Sequence, residues 1–360
     1  MPHPDLDRCL RLLAEREGGT DLHLKVGSPP RVRVKGTLET LPDEPSLDKA
    51  TIDAMAAAVL TSGAKDHFVA HREAECTYSV NGLGRFRVAA YLQRGSIALI
   101  LRRVDTAARS FEELRLPPVL GDLASAERGL VLVGGPAGAG VTTTLAAMVD
   151  HVNRHRACHV VTVEDPVEVL HRDDLASISQ RQVGVDIAGI ASGVVSALRQ
   201  DPDVVVVGRI DSAEVAGAVL AACEAGCLVF AGVRGSDAVE AVRTVVDLHP
   251  EPDRPHVRLQ VAGALVGVVA LRLVPSRTGA GRVPAVEVLR TTPAVRDGLM
   301  ADESALVRAE MLAGEGLGMQ TLNQALAVLL AEQAIDERAA LAATPDWPGL
   351  RHALEARGLV

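Results

Sequence analysis

Leu130-Val131-Leu132-Val133-Gly134-Gly135-Pro136-Ala137-Gly138-Ala139-Gly140-Val141-Thr142-Thr143 is the stretch on which the fold turns. Leu130–Val133 is a short, continuous apolar run, the pattern of a parallel strand buried on both faces. It leads into a glycine-rich turn, and the spacing then predicts a helix over Thr142–Val152. Strand, glycine loop and helix together match the frame GxxxxGK[ST]. In that frame glycines let backbone amides turn inward around phosphate oxygens, and the helix N-terminus adds positive partial charge. Gly135, Gly138 and Gly140 supply the turn, Thr142 takes the place of the magnesium-holding hydroxyl, and Thr143 follows it. Val141 stands where the lysine belongs. Valine brings neither charge nor donor to the outer phosphates.

Glycine-rich turns are common, so the loop needs context. Three further apolar runs supply it: Val160–Val163, Val204–Val207 and Leu228–Ala231, each separated by helical segments. The first is followed by Glu164-Asp165-Pro166 and Glu168, the second by Gly208-Arg209, the third by Gly232-Val233-Arg234. Ligands of open parallel sheets bind beyond the carboxyl ends of the strands. Four polar strand ends on one edge make a site, with Glu164 as the candidate base.

Working outward, the N-terminal third has a different rhythm. Asp5–Glu17 carries helical spacing and stops at Gly18-Gly19; Asp21–Val26 alternates, and Arg31–Leu41 alternates again, broken by Gly36. A helix is predicted near Leu47–Leu60, then strands at Glu75–Val80, Arg85–Leu92 and Ile97–Val104. Strands clustered around few helices indicate a small mixed α+β domain. The tail is helical from Pro293, with Thr292 as N-cap and the proline in the first turn, and with further helices near Glu303–Leu312 and Met319–Glu332.

With 360 residues, 48% of them apolar, the chain is globular and long enough for about two domains. Aromatics at 2% and a net charge of −9 argue against stacking platforms and a global basic field, so nucleic acid is not an expected partner. No apolar stretch is long enough to span a bilayer; the longest lies near Val261–Leu271. The N-terminus has no secretory pattern, and the expectation is a cytoplasmic protein able to dock peripherally at the inner membrane. Cys9, Cys76, Cys158, Cys223 and Cys227 have no metal-type spacing, and the better reading is buried free thiols. The lysines are Lys25, Lys35, Lys49 and Lys65, so none lies in the second half to replace the missing one.

Several ordered segments resemble the type IV pilus retraction motors, the PilT-like branch of the secretion ATPases that powers twitching motility. They include Thr20-Asp21-Leu22-His23-Leu24, Gly84-Arg85-Phe86-Arg87-Val88, Gln93-Arg94-Gly95, Leu101-Arg102-Arg103, Val163-Glu164-Asp165-Pro166-Val167-Glu168 and Gly281-Arg282-Val283-Pro284-Ala285. The resemblance implies an α/β chain with a PAS-like domain over 1–105, a linker over 106–118, a RecA-like P-loop core over 119–290 and a helical region over 291–360. It further implies a hexameric ring, nucleotide between subunits, and Arg85, Arg87, Arg94, Arg102 and Arg103 contacting a neighbour's phosphates. ATP is the implied nucleotide, and the partners are further copies of the chain or an active paralogue, together with the inner-membrane pilus assembly machinery.

Four departures from the family pattern are specific. Val141 replaces the loop lysine; Arg209 replaces the Walker B glutamate; Asp211 replaces the following arginine; Arg234 replaces the histidine of the box after the last of the four strands. A guanidinium cannot serve as a base or hold a cation, so magnesium is disfavoured and metal ligands are not assigned beyond Thr142. The expectation is a hydrolysis-deficient structural or regulatory ring subunit. Two alternatives stand beside it: an unorthodox ATPase using Arg209 or Arg234 in place of the lysine, and a nucleotide sensor that binds without turnover.

Overall fold

The computed structural model describes residues 3–80, 83–104, 108–279 and 281–358. The chain divides into two compact units, Met1–Ala107 with Glu168–Leu170, and Ala108–Val167 with His171–Val360. The expected domain boundary at residue 105 and the first linker residues, 106 and 107, lie outside the described residues.

The first unit runs α1 (Pro4–Glu15), β1 (Gly19–Lys25), β2 (Arg31–Val34), β3 (Thr37–Thr40), α2 (Lys49–Val59), α3 (Ser62–His71), β4 (Glu73–Val80), β5 (Gly84–Gln93) and β6 (Ser96–Arg103). Its antiparallel sheet has the order β3-β2-β1-β6-β5-β4. Leu6, Cys9, Leu10 and Leu13 line one face of α1 at helical spacing and are buried with Leu22, Ile52, Met55 and Phe86. Arg31–Leu41, which alternates through Gly36 in sequence, is two strands. Lys35 and Gly36 both take positive φ (47° and 88°), the backbone of a two-residue hairpin turn, so the break at the glycine is a reversal.

Asp21 on β1 is 2% exposed and accepts hydrogen bonds from Thr20 Oγ1 (2.6 Å) and Arg102 Nε (2.7 Å). Burial works against its charge, but the Thr20 hydroxyl and the Arg102 guanidinium outweigh burial and hold the carboxyl below the usual aspartate range. A depressed folded-state pKa gives stability that is present above the unfolded value and lost as pH falls through the folded one. The acid limb of unfolding, followed by circular dichroism below about pH 4, should therefore flatten in Asp21→Asn; an unaltered limb would refute the assignment.

The second unit runs α4 (Val119–Ala124), β7 (Gly129–Gly134), α5 (Val141–His155), β8 (His159–Glu164), β9 (Ser177–Gln182), α6 (Ile190–Ala197), β10 (Val204–Val207), α7 (Ala213–Glu224), β11 (Leu228–Val233), α8 (Ala238–Asp247), α9 (Arg254–Ala264), β12 (Leu265–Pro275) and β13 (Arg282–Arg290). It closes with α10 (Pro293–Met300), α11 (Ser304–Ala313), α12 (Leu322–Ala331), α13 (Glu337–Ala343) and α14 (Trp347–Glu355). The sheet order is β13-β12-β7-β11-β10-β8-β9, parallel except for β13. Alternation explains the apolar runs: Leu130, Leu132, Val205 and Val207 enter one core, while Val131, Val133, Val204 and Val206 enter the other. Thr292 caps α10 as expected, its Oγ1 accepting from Val295 N at 3.2 Å with Pro293 in the first turn.

Four of the five cysteines are buried and all are free. Burial pushes the Cys9 and Cys223 thiols up to about 12, which keeps them protonated and inert. Among the described residues no helix is long and apolar enough to cross a membrane.

Candidate functional site

The loop between β7 and α5 is built by backbone conformation. Gly138 (φ 77°) and Gly140 (φ 100°) occupy the left-handed region that side chains avoid, and the space a Cβ would fill is empty at both. The first helical bond of α5 is Thr144 N–H to Gly140 O at 2.9 Å, so the amides of Val141, Thr142 and Thr143 precede the ladder. Unclaimed amides and open glycines at a helix start form an anion cradle. Val141 is half-buried. Its methyls lie 3.3 Å and 3.2 Å from where a Cβ on Gly135 or Gly232 would sit, so the side chain fills a slot between the loop and the end of β11.

The neighbouring strand ends are joined to one another. Gly208 N–H donates to Val163 O (3.0 Å), tying β10 to β8, and Ile210 N–H donates to Gly232 O (2.7 Å), tying it to β11. The order β7-β11-β10-β8 places the glycine loop, Arg234, Arg209 and Glu164 at one carboxyl edge, as the strand-end reading expects. Glu164 accepts at Oε1 from Thr162 Oγ1 (2.6 Å) and Gln180 Nε2 (3.3 Å). Arg209 is exposed and folds back on Asp211, with Nε and Nη2 at 3.2 and 3.1 Å from Oδ2. Arg234 is exposed and has no side-chain partner among the described residues. No group of three or more metal-capable side chains occurs among the described residues.

Sequence reasoning missed a cavity of about 570 Å³ against the same loop. Gly140 and Thr143 form part of its wall, and Arg109, Arg115 and Arg282 reach it from distant segments. Only convergence in space reveals it, since no local motif links those three positions.

In the first unit, Arg87 and Arg102 face each other across β5 and β6, and Asp21 faces both Arg102 and Arg33 across neighbouring strands. Arg87 pairs with Glu75 (2.6 Å), and Arg85 Nη2 donates to Thr77 Oγ1 (2.9 Å). Arg94 sits in the β5–β6 turn with φ 49° and Arg103 ends β6; both are exposed.

Comparison with known proteins agrees with this architecture. The model of the type II/IV secretion system protein family matches residues 98–309. The type IV pilus retraction ATPase PilT of Pseudomonas aeruginosa is 34% identical over 90% of this chain and 93% of its own length. The type IV pilus ATPase PilU of the same organism is 33% identical over 94% and 88%. The crystal structure of the pilus retraction motor PilT with bound ADP superposes with a TM-score of 0.87 at 32% identity, covering 97% of this chain and 98% of that one. An N-terminal α/β unit, a RecA-like core with C-terminal helices, and similarity over nearly the full length lead to one assignment: this chain belongs to the type II/IV secretion system protein family, within its PilT- and PilU-type secretion ATPases.

Proposed function

We propose that this chain is a PilT-like pilus-motor subunit that does not turn over ATP and serves a structural or regulatory role in a ring. The ring is a hexamer of its own copies or is shared with an active paralogue, and it sits in the cytoplasm against the inner-membrane pilus machinery. The first unit is its PAS-like domain, and its arginines serve the neighbouring subunit's phosphates. One observation carries the reading: Val141 fills the slot beside Gly135 and Gly232, so no ammonium reaches the cradle. The donor set also fails magnesium. Thr142 offers a hydroxyl, but the acid's place holds Arg209, and Glu164 is already engaged by Thr162 and Gln180. Nucleotide phosphate does fit, through the amides of the open loop. Each electrostatic group lost from a phosphoryl-transfer site costs about 3 kcal/mol, so losing two lowers turnover on the order of 10⁴-fold.

The unorthodox-ATPase reading needs Arg209 or Arg234 to replace the lysine. Arg209 is held by Asp211, which weighs against it. The sensor reading gains from the unclaimed loop amides, and binding without turnover is compatible with the regulatory role. Steady-state phosphate release by purified protein tests the proposal. The native chain should match a protein-free blank, while Val141→Lys combined with Arg209→Glu should release phosphate in a magnesium-dependent manner. Rapid magnesium-dependent release by the native chain overturns the proposal, and its loss in Arg234→Ala would establish the unorthodox reading instead.

A further inference from the structure

The cavity beside the glycine loop carries charge that the loop reading does not use. Arg109 and Arg115 come from the segment before α4, and Arg282 opens β13. Among the described residues none of the three guanidiniums makes a side-chain hydrogen bond or ion pair. Two carboxylates share the wall, Glu113 and Glu332, yet neither pairs with an arginine; Glu113 Oε2 instead accepts from Ser110 N at 2.7 Å. Arg115 is fixed at φ 54°, its N–H bonded to Glu112 O at 3.0 Å, in a conformation uncommon for arginine. All three side chains are exposed and line one cavity, so an anion that enters it meets guanidinium donors that no side chain has claimed.

Shape adds to charge. Buried Leu116 and Leu271 give the cavity an apolar floor suited to a base, and its volume lies in the range of small-molecule sites. Gly140 and Thr143 belong to both cavity and loop, so a ligand with one phosphate on the loop amides extends directly into it.

We infer that this cavity receives the second anionic group of a nucleotide phosphorylated on both its 5′ and 3′ sides, with Arg109, Arg115 and Arg282 as the receiving cations. The inference rests on the reading of the loop as an anion cradle. An adenosine held only by its 5′ phosphates leaves the three guanidiniums without a partner; a 3′ phosphate supplies one.

Calorimetry on the full chain, with chelator present to remove divalent cations, tests this with two probes that differ by one group: adenosine 5′-monophosphate and adenosine 3′,5′-bisphosphate. The bisphosphate should bind at least about tenfold more tightly, as charge-assisted hydrogen bonds to a second phosphate require. In Arg115→Gln with Arg282→Gln that advantage, taken as the ratio of the two affinities within the variant, should fall below about threefold. Equal affinity for the two probes overturns the inference and leaves the cradle standing. Binding of neither overturns both. An advantage that survives in the double variant overturns the arginine assignment.

Discussion

Replacing Gly232 by alanine is expected to lower the thermal midpoint by roughly 10 °C, equivalent to about 3 kcal/mol in a unit of this size. The added Cβ would sit 2.2 Å from Gly208 O and 3.2 Å from a methyl of Val141. The carbonyl belongs to backbone at the end of β10, so no flexible side chain can move to relieve the contact. The strands would have to part by about 1 Å to restore van der Waals distance. Parting them breaks the 2.7 Å bond from Ile210 N–H to Gly232 O, which holds the strand ends together beneath Arg209 and Arg234. Gly217→Ala is the matched control. Gly217 is exposed on α7, and a Cβ there meets nothing, so the same substitution should stabilise by about 0.5–1 kcal/mol through helix propensity. Equal midpoints for the two variants would show that strand closeness at Gly232 is unimportant.

The contrast between these glycines shows why some of the fold is legible in sequence. β7, β8, β10 and β11 are readable because their runs are buried on both faces, and a doubly buried strand has no other sequence solution. β9, Ser177–Gln182, is a polar edge strand with no apolar pattern to find. β12 hides within the long apolar stretch that begins in α9, where neither period is distinct. α3, with only Ala64 buried, lacks an apolar stripe, and its cap at Thr61 is the sole local signal. α13 joins a small core with Leu326, Leu329 and Ile335 through Ala340 and Ala343, and α14 joins it through Leu350, so neither helix shows a long apolar stripe. The candidate site divides in the same way. Strand-end residues are placed by topology and can be read in order, whereas the arginine cavity assembles positions 109, 115 and 282 and exists only after folding.

A buried carboxylate outside the candidate site should prove among the most costly residues to lose. Glu287 on β13 is 5% exposed, and its carboxylate meets two helix starts: Oε1 accepts from Ala238 N (2.7 Å) at α8, and Oε2 accepts from Leu322 N (3.1 Å) at α12. Helix N-termini favour negative charge, and the Ala238 amide is buried away from water. Glu287→Leu leaves one buried and one partly buried donor without acceptors and should cost about 2–3 kcal/mol, after allowance for relief of the buried charge. Amide hydrogen exchange localises the effect: protection should fall at Ala238 and Leu322 while Val205, deep in the sheet, changes only with global stability. The same group sets a pH response. Burial dominates and pushes the carboxyl above the usual glutamate range, despite the two amides. Between the unfolded and the raised folded pKa the native state binds more protons than the unfolded one, so stability falls as pH rises through that window. Glu287→Gln cannot ionise and should remove that slope, although its amide group turns a donor toward one of the two N–H groups. Retained protection at both amides in Glu287→Leu would mean that packing alone ties α8 and α12 to the sheet.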